Sequence, residues 1–397
     1  MDKTVWLLGG SIQQYPMAME IKRRGYKLLL TDSNPACVCR SLADTFYPVS
    51  IYSAFDNLKL AKELTTRPAA VLTVGTDAGV EVSTIADYFD LPAAPVKVAK
   101  RVRSKIKMRY TLDSDYPTFK IVEDVNGLVR WERFPCVVKP GDASGSNGVR
   151  IVTEAGEISP AVKYAYFHNR QGENRVLIER YLPGVNVLPL DEYDSSEVAL
   201  DFFVENGTAY YANGALRLFS LDKPGIEVGH FNPFVPDDNI LKQVQQAAEK
   251  LGVTWGPFKV DFKLTPYTWH YGGWVLMECA TRLSGGFDHS YTCPAATGKD
   301  ITGAMLDMAL GKPLDRNKLT AWKDLIACCL APFYGPGKVQ SWNIPAGANV
   351  YILAEDEIKS LESNSQRPVF VIEVGTSQFE ALERAKVTAQ LVRPYYV

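Results

Sequence analysis

The chain has 397 residues, of which 46% are hydrophobic and 22% charged, so it is long enough for two to four domains. Its formal net charge is −2, which gives no electrostatic reason to expect nucleic acid or an anionic membrane as a partner. No apolar run reaches the roughly 18 residues of a membrane span, and the opening MDKTVWLLGG is too short and too acidic for a signal peptide. A cytoplasmic protein is expected.

The first hundred residues alternate between strand and helix patterns. Apolar stretches at 4–10, 26–32 and 69–77 each precede or follow a segment with helical spacing, and the first helix ends at Gly25. This order predicts a parallel, Rossmann-like sheet. The first turn, GGSIQQYP, lacks the GxGxxG spacing, although Asp32 could act as a ribose-binding acid. The pattern therefore favours a packing role for this sheet. A nicotinamide-binding site is the less favoured alternative.

A basic helical segment follows, from about residue 97 to Pro117, and then a glycine-rich loop in PCVVKPGDASGSNGVRIV. Gly145, Ser146 and Gly148 lie in this loop, which offers backbone N–H groups that could hold a phosphate. Lys139 ends the preceding apolar strand and would lie beside the loop. No GxxxxGK[ST] motif is present, and a hairpin without a ligand is the alternative.

Two acidic residues interrupt apolar strands later in the chain. Asp261 lies in FKVDFKL and Glu278 in WVLMECA, and the segment between these strands is rich in turn-forming residues. A hairpin centred between Trp269 and His270 would set the two carboxylates opposite each other, about 5 Å apart. Like charges in that position destabilise a sheet unless a cation lies between them, and Mg²⁺ prefers such oxygen ligands. Ordinary surface charges on an exposed sheet face are the alternative.

Arg282 follows Glu278 by four residues, on the same face if the strand stays extended. The two side chains would then lie about 13 Å apart, too far for an ion pair but suited to a charged ligand between them. The residues after Arg282 are LSGGFDHSY. The tail from about Trp322 predicts a small α+β module.

In chain order, these segments resemble the ATP-grasp superfamily in its biotin-carboxylase-like branch, and the resemblance covers nearly the whole chain. It implies an α/β fold with a Rossmann-like domain at 1–104, a central α+β ATP-grasp domain at 105–312 and a C-terminal α+β module at 313–397. A mobile lid is expected at about 117–184. The segments that carry the resemblance are Lys105, PCVVKP with its loop, ERYL at 179–182, Asp261, and Glu278-x-Ala280-x-Arg282 with Ser-Gly-Gly.

The resemblance also implies roles for individual residues. The lysines and the loop would contact the ATP phosphates, the backbone at Glu179 and Leu182 would meet adenine, and Glu197 would hold the ribose. The ten residues VNVLPLDEYD precede Glu197 as an insertion. The implied ATP contacts are Lys105, Lys139, Gly145, Ser146, Gly148, Glu179, Leu182 and Glu197.

For the reaction itself, the resemblance implies that Asp261 and Glu278 bind Mg²⁺ or Mn²⁺ and that Arg282 lies near the γ-phosphate. Many members have Asn where this chain has Ala280, which puts the second metal in doubt. The spacing Glu-x-Ala-x-Arg followed by Ser-Gly-Gly is similar to bacilysin-type L-amino-acid ligases.

The expected function is therefore ATP-dependent ligation of a small-molecule carboxylate to an amine through an acyl phosphate. Carboxylation through carboxyphosphate, nicotinamide-dependent oxidoreduction and nucleotide binding without catalysis are the alternatives. Related enzymes are often dimers. Candidates for the substrate pocket, with a purely structural role as the alternative for each, are His230, Asn232, Asp288 and His289.

Overall fold

The computed structural model describes residues 3–112, 118–127, 129–170, 173–266 and 272–397. Among these residues, no helix is long and apolar enough to cross a membrane. All seven cysteines are buried thiols.

The N-terminal region forms the predicted parallel sheet. Its strands pair in the order β3-β2-β1-β4, with parallel neighbours throughout. Helices cover both faces. The first helix ends at Arg23, shortly before Gly25, whose φ of +78° suits glycine. The elements are β1 (Thr4–Leu8), α1 (Tyr15–Arg23), β2 (Lys27–Thr31), β3 (Thr45–Tyr47), α2 (Ala54–Glu63), β4 (Ala70–Leu72) and α3 (Gly79–Phe89).

The basic segment forms two helices, where one was predicted. They are α4 (Val96–Arg103) and α5 (Lys105–Leu112), separated by Ser104 in an extended conformation. The expected end of the segment at Pro117 lies outside the described residues. The backbone N–H of Lys105 donates to the carbonyl of Gly141 at 2.7 Å, which fixes the start of α5 beside the glycine loop.

The expected lid contains a four-stranded antiparallel sheet in the order β5-β8-β6-β7, backed by one helix. The apolar side chains of its strands and helix share a small core of their own. The glycine loop connects β6 to β7. The elements are β5 (Phe119–Val122), β6 (Cys136–Pro140), β7 (Arg150–Val152), α6 (Ile158–Phe167) and β8 (Val176–Arg180).

An eight-stranded antiparallel sheet forms the centre of the molecule, in the order β13-β12-β9-β10-β11-β14-β18-β16. Its last three strands come from the C-terminal region, so these strands continue the central sheet, whereas a separate module was expected. The domain boundary at 313 stays a prediction. The elements are β9 (Tyr193–Glu205), β10 (Thr208–Ser220), β11 (Glu227–Asn232), α7 (Asp238–Leu251), β12 (Trp255–Thr265), β13 (Gly273–Ala280), β14 (Ile326–Leu330), β16 (Val350–Ile352) and β18 (Val369–Gly375).

The remaining elements pack around this sheet. Three short strands form a separate sheet, and α10 covers the C-terminal part of the central one. These elements are α8 (Cys293–Thr297), α9 (Ile301–Ala309), β15 (Gly337–Asn343), β17 (Glu357–Ile358), α10 (Gln378–Leu391) and β19 (Arg393–Tyr396).

The two faces of the central sheet differ in chemistry, because side chains alternate along each strand. Residues such as Val198, Leu216 and Val260 enter the main apolar core beneath α7 and α10. Their neighbours Glu197 and Arg217 line the open cleft on the other face. The alternation therefore sets charged side chains on the floor of the cleft.

The predicted hairpin register is confirmed. Asp261 of β12 pairs with Glu278 of β13, and the register shifts immediately after this pair. The shift leaves Met277 as the extra residue of a β-bulge, a feature that often re-aims side chains near functional sites. The turn itself, with Trp269 and His270, lies outside the described residues.

Candidate active site

Two adjoining pockets lie between the lid sheet and the central sheet. The first, here called the large pocket, has a volume of about 670 Å³ and mixes charged with apolar side chains. The second, here called the polar pocket, has a volume of about 330 Å³ and is lined mainly by charged and polar groups. Residues in both linings include Ser144, Gly145, Ser146, Asn147, Arg217, Asp261 and Glu278. The carboxylate pair predicted from the hairpin thus lies where the two pockets meet.

Seven of the eight residues expected to contact ATP line the large pocket. They come from α5, the lid sheet, the glycine loop and β9, which are brought together only by the fold. The eighth, Gly148, has a φ of +77°, and a Cβ there would lie 2.5 Å from the Cβ of His168. Gly148 therefore serves the turn and the close packing of the loop onto α6. The seven lining residues are Lys105, Lys139, Gly145, Ser146, Glu179, Leu182 and Glu197.

Glu179 is a buried carboxylate held between two cations, Arg109 and Lys139. Burial by itself would raise the pKa of this carboxyl, but the attraction of Arg109 and Lys139 lowers it to about 2. Arg109 also donates to the carbonyl of Met277 at 2.8 Å and so ties α5 to the bulge in β13. No role was expected for Arg109 from the sequence, because only the backbone of Glu179 was expected to contact a ligand.

Burial lowers the pKa of Lys139, and repulsion from Arg109 and Lys105 acts in the same direction against the attraction of Glu179. The geometry and the low pKa of Glu179 favour an ion pair here, with both partners charged at neutral pH. Lys105, Arg109 and Lys139 thus bring three cations to a corner that holds two carboxylates, Glu179 and Glu278. The excess positive charge suits a phosphate group.

Glu278 and Asp261 each contact a lysine. The Nζ atom of Lys105 donates to Oε1 of Glu278 at 2.7 Å and to the carbonyl of Ala143 at 2.8 Å. Burial would raise the pKa of Glu278, but Lys105 above all lowers it to about 2, although about a third of the side chain still faces the cleft. Lys259 pairs with Asp261. Lys105 therefore holds Glu278 in its charged form where the pockets meet.

Glu197 also lies among cations. Its carboxylate accepts from Nζ of Lys263 at 3.1 Å and lies 3.5 Å from Nη1 of Arg217. The insertion before it does not displace it from the pocket wall, because β9 pairs with β10 and β12 at this residue.

Arg282 lines the polar pocket, but it does not continue the strand as predicted. The strand β13 ends at Ala280, so the expected extended spacing of 13 Å does not apply. The Nη1 atom donates to the carbonyl of Leu283 at 3.1 Å, and Nε lies 3.8 Å from Oδ1 of Asp77. The Nε atom is buried and has no hydrogen-bond partner among the described residues. A donor is therefore left for a group that enters the pocket.

The N-terminal region contributes to the polar pocket through Asp77 and Gln13. Asp77 accepts from Nη1 of Arg170 at 3.1 Å, and Gln13 accepts from the N–H of Gly286 at 3.0 Å. Gly285 lies so close to the N-terminal region that a Cβ would be 2.7 Å from the carbonyl oxygen of Gly75. The Ser-Gly-Gly run after Arg282 thus permits contact with this region.

Two of the four substrate candidates, His230 and Asp288, line the polar pocket. His230 lies 3.5 Å from Glu227 and 3.1 Å from the hydroxyl of Thr292. Asn232 and His289 are not among the lining residues.

Asn232 donates to Oδ1 of Asn213 and Oδ1 of Asp288, and His289 contacts the carbonyl of Ser284. Burial lowers the pKa of His289 to about 4. Asn232 and His289 therefore contact residues near the polar pocket without lining it themselves.

The C-terminal region supplies polar-pocket residues that the sequence did not reveal. Arg367 lies between β11 and the loop before β18, with Nη1 at 3.2 Å from the carbonyl of Glu227. Asn364 donates to Oγ of Ser146 at 3.3 Å, and its N–H donates to the carbonyl of Gly145 at 3.2 Å. The glycine loop is therefore docked onto the C-terminal region.

Arg217 and Glu227, which pair at 2.7 Å, were also missed. A charged residue inside an apolar strand was the available signal, as it was for Glu278. No comparable signal marks Arg367, which lies in a loop.

The first glycine turn, which follows β1, is occupied by side chains of the protein itself. The carboxylate of Asp32 accepts from the N–H groups of Gly10 and Asn34, both at 2.8 Å. A Cβ at Gly10 would lie 2.5 Å from Sγ of Cys37, so the turn is filled by the protein itself. This geometry favours the packing role that the sequence predicted for the N-terminal sheet.

Residues 97–188 match the family model described as the ATP-binding domain of the carbamoyl-phosphate synthase L chain. Over 153 residues, the chain is 33% identical to 3-methyl-D-ornithine–L-lysine ligase of Methanosarcina barkeri, covering 38% of this chain and 39% of that protein. The chain spans less than half the length of the curated relatives it matches.

Among solved structures, the chain is similar to an L-amino acid ligase from Bacillus licheniformis, with a TM-score of 0.78, 18% identity, and coverage of 100% of this chain and 99% of that one. It is also similar to the biotin carboxylase domain of the 2-oxoglutarate carboxylase of Hydrogenobacter thermophilus in complex with MgADP and bicarbonate. That match has a TM-score of 0.72, 14% identity, and coverage of 100% and 91%. At these identities the likeness establishes the fold.

The fold, with a lid sheet set over a central antiparallel sheet, is similar to that of these ligase and carboxylase structures, and residues 97–188 match an ATP-binding domain. These similarities confirm the α/β fold class and the resemblance to ATP-grasp proteins with biotin-carboxylase-like architecture.

Proposed function

We propose that this protein is an ATP-dependent ligase that joins a carboxylate to an amine through an acyl phosphate and releases ADP and phosphate. One observation carries the proposal: Asp261 and Glu278 lie where the large pocket meets the polar pocket. Phosphoryl transfer needs the donor and the acceptor to meet at one point, with oxygen ligands for a cation between them. Two pockets that join at a carboxylate pair meet that requirement.

The large pocket suits ATP on grounds of volume and chemistry. Its volume of about 670 Å³ lies within the roughly 300–1,000 Å³ usual for ligand sites. Apolar side chains such as Leu182 and Leu276 line one part, and the cations Lys105 and Lys139 line another. A nucleotide needs this combination, because its base is largely apolar and its phosphates are anionic.

In the first step, an oxygen of the acceptor carboxylate attacks the γ-phosphorus, and the bond to the bridging oxygen breaks to release ADP. Lys105 and Lys139 offset the charge of the phosphate oxygens. Arg282 donates from the polar pocket to the transferring group, where its planar fork can hold two oxygens. In the second step, the amine nitrogen attacks the acyl carbon, the C–N bond forms, and phosphate leaves with the C–O electron pair.

The residues present also fit a divalent cation. Asp261 and Glu278 oppose each other on neighbouring strands and line both pockets. Among the described residues, no group of three or more His, Cys, Asp or Glu side chains forms a metal site, so the protein would supply two ligands of an incomplete shell. Mg²⁺ commonly takes one or two carboxylates together with substrate phosphates, and when bound it offsets charge on the phosphate oxygens.

The names of two similar proteins support the proposed substrate class. The Methanosarcina protein is named as a ligase that acts on an ornithine derivative and lysine, and the Bacillus structure as an L-amino acid ligase. We therefore propose amino acids as substrates. The biotin carboxylase domain in the comparison is a dimer, and a homodimer stays a prediction for this chain.

ADP release with paired L-amino acids, ATP and Mg²⁺ tests the proposal. We expect release that needs both substrates and the cation, with one phosphate formed for each amide. Release that depends on bicarbonate alone would replace ligation with carboxylation. ATP binding without turnover for any pair would leave a nucleotide-binding protein, and oxidation of NADH would support a different enzyme class.

A further inference from the structure

Two buried carboxyl groups lie one behind the other at the polar pocket. Asp288 lines the pocket and is 3% exposed, whereas Asp201 of β9 is fully buried and is not among the lining residues. The part of the mechanism described above uses neither residue. Buried acids without a cationic partner are rare, because burial penalises the charged form.

Each carboxyl group uses only one of its two oxygens in hydrogen bonds. Oδ1 of Asp201 accepts from the N–H of Ser284 at 2.7 Å and from its hydroxyl at 2.9 Å. Oδ1 of Asp288 accepts from the side-chain amides of Asn213 and Asn232, at 2.7 and 2.8 Å. The Oδ2 atoms of both acids are buried and have no hydrogen-bond partner among the described residues.

An unpartnered, buried carboxylate oxygen at a pocket wall is a place for a proton or a donor. Burial raises the pKa of Asp201 to about 7, and repulsion from Asp288 acts in the same direction. A negative charge at Asp288 disfavours a second negative charge at Asp201. Asp201 can therefore gain and lose a proton near neutral pH.

The other ionisable groups that act on the pair stay in one state near neutral pH. Burial lowers the pKa of His289 to about 4, so its ring is neutral. Burial raises the pKa of Cys293 to about 12 and raises the pKa values of Tyr211 and Cys329, so these groups stay protonated. Lys259 acts on Asp201 from β12 and favours its ionised form.

We propose that Asp288 receives the ammonium group of the amine substrate and takes its proton, with Asp201 behind it as the second carboxyl of the pair. This inference rests on the proposed ligase function. One N–H bond of the ammonium breaks and an O–H bond forms on Asp288. The freed lone pair attacks the acyl phosphate, the C–O bond to phosphate breaks, and the second nitrogen proton leaves with the phosphate or with water.

Geometry assigns the two acids different tasks. Asp288 lines the same pocket as Arg282, so it can contact an amine that attacks a group held there. Asp201 is separated from the pocket and acts through Asp288, which makes it a positioning residue that tunes proton affinity.

The test separates acyl phosphate formation from amine attack. Hydroxylamine is largely unprotonated at neutral pH and traps an acyl phosphate without a base. The enzyme is assayed with ATP, Mg²⁺ and the pair of L-amino acids that gives the fastest ADP release, either with both amino acids or with hydroxylamine in place of the amine. The variants are Asp288→Asn and the surface control Asp324→Asn, whose side chain is exposed.

For Asp288→Asn we expect hydroxamate formation within a fewfold of the wild type and amide formation at about pH 7 reduced on the order of 10²-fold or more. The deficit should shrink as the pH approaches the pKa of the free amine, because the substrate then loses its proton to water. Wild-type amide formation by Asp288→Asn would overturn the proposal, as would an equal loss of hydroxamate. No hydroxamate from the wild-type enzyme with any amino acid would instead refute the proposed ligase function.

Asp201→Asn tests the second carboxyl. Asp201 has a pKa of about 7, and an amide at this position does not titrate, so the acid limb of the pH profile of amide formation should move to lower pH while hydroxamate formation is retained. An unchanged acid limb in a folded Asp201→Asn protein would exclude Asp201 from the pair. Thermal unfolding of each variant reports whether it is folded.

Discussion

The large pocket and the polar pocket differ in how completely their charged groups are paired. In the large pocket, Glu179 is held by Arg109 and Lys139, and Glu197 is held by Lys263. In the polar pocket, Nε of Arg282 and Oδ2 of Asp288 are buried without a hydrogen-bond partner among the described residues. Paired groups set a fixed surface for binding, whereas unpaired groups can gain partners during the reaction.

This difference predicts that the two pockets respond differently to substitution. Changes in the polar pocket should lower turnover more than ATP affinity, because groups that gain partners mainly in the transition state contribute little to ground-state binding. Changes around the large pocket should act mainly on ATP. Glu278, which belongs to both pockets, should have the largest effect.

Glu278→Gln should therefore reduce ADP release by on the order of 10³-fold while the protein still folds. The amide keeps the size of the side chain, but it removes one of the two anionic oxygen ligands proposed for the cation. Steady-state ADP release with varied Mg²⁺ measures the change, and Glu63→Gln, at an exposed position in α2, is the matched control. Wild-type turnover by Glu278→Gln would rule out the metal assignment.

Arg282→Lys should reduce turnover roughly a hundredfold and change ATP affinity much less. Lysine keeps the charge but lacks the planar fork that can hold two oxygens of a transferring group. Steady-state kinetics beside ATP titration calorimetry measures both quantities, with Arg23→Lys in an exposed ion pair as the control.

Turnover of Arg282→Lys within a fewfold of the wild type would contradict this prediction. A loss of ATP affinity as large as the loss of turnover would also contradict it, because Arg282 would then act on ground-state binding.

Asn364→Ala should have the smallest effect, a fewfold change in kcat/KM for ATP. Asn364 holds the glycine loop through the hydroxyl of Ser146, and its loss leaves the backbone contact to Gly145 in place. Hydrogen exchange at 141–148 should quicken in the variant, more without nucleotide than with it, if the loop opens for ATP to enter. Asn126→Ala, at an exposed lid position, serves as the control. Equal exchange in both proteins would show that this contact does not hold the loop.

Predictions from the sequence succeeded where local pattern decides the structure. The alternation of apolar and charged residues in two strands gave the register that pairs Asp261 with Glu278, because a one-residue shift would turn every side chain to the opposite face. The order of strand and helix patterns gave the parallel N-terminal sheet. It failed at Arg282, because the strand ends two residues earlier and extended spacing no longer holds.

The sequence by itself determined the alternation of the strands and the carboxylate pair, because spacing and alternation are local properties of the chain. The residues around the large pocket were expected only from the resemblance to a known superfamily. Only the tertiary structure decided which charges are paired. Arg109 meets Glu179, Asn364 meets the glycine loop, and Asp201 lies behind Asp288, across separations of 70, 218 and 87 residues. Such contacts depend on how sheets and helices pack in three dimensions, and no periodicity along the chain encodes them. Oδ2 of Asp288 and Nε of Arg282, which have no hydrogen-bond partner within the described part of the chain, have the same origin, since burial and partner geometry exist only in the folded state.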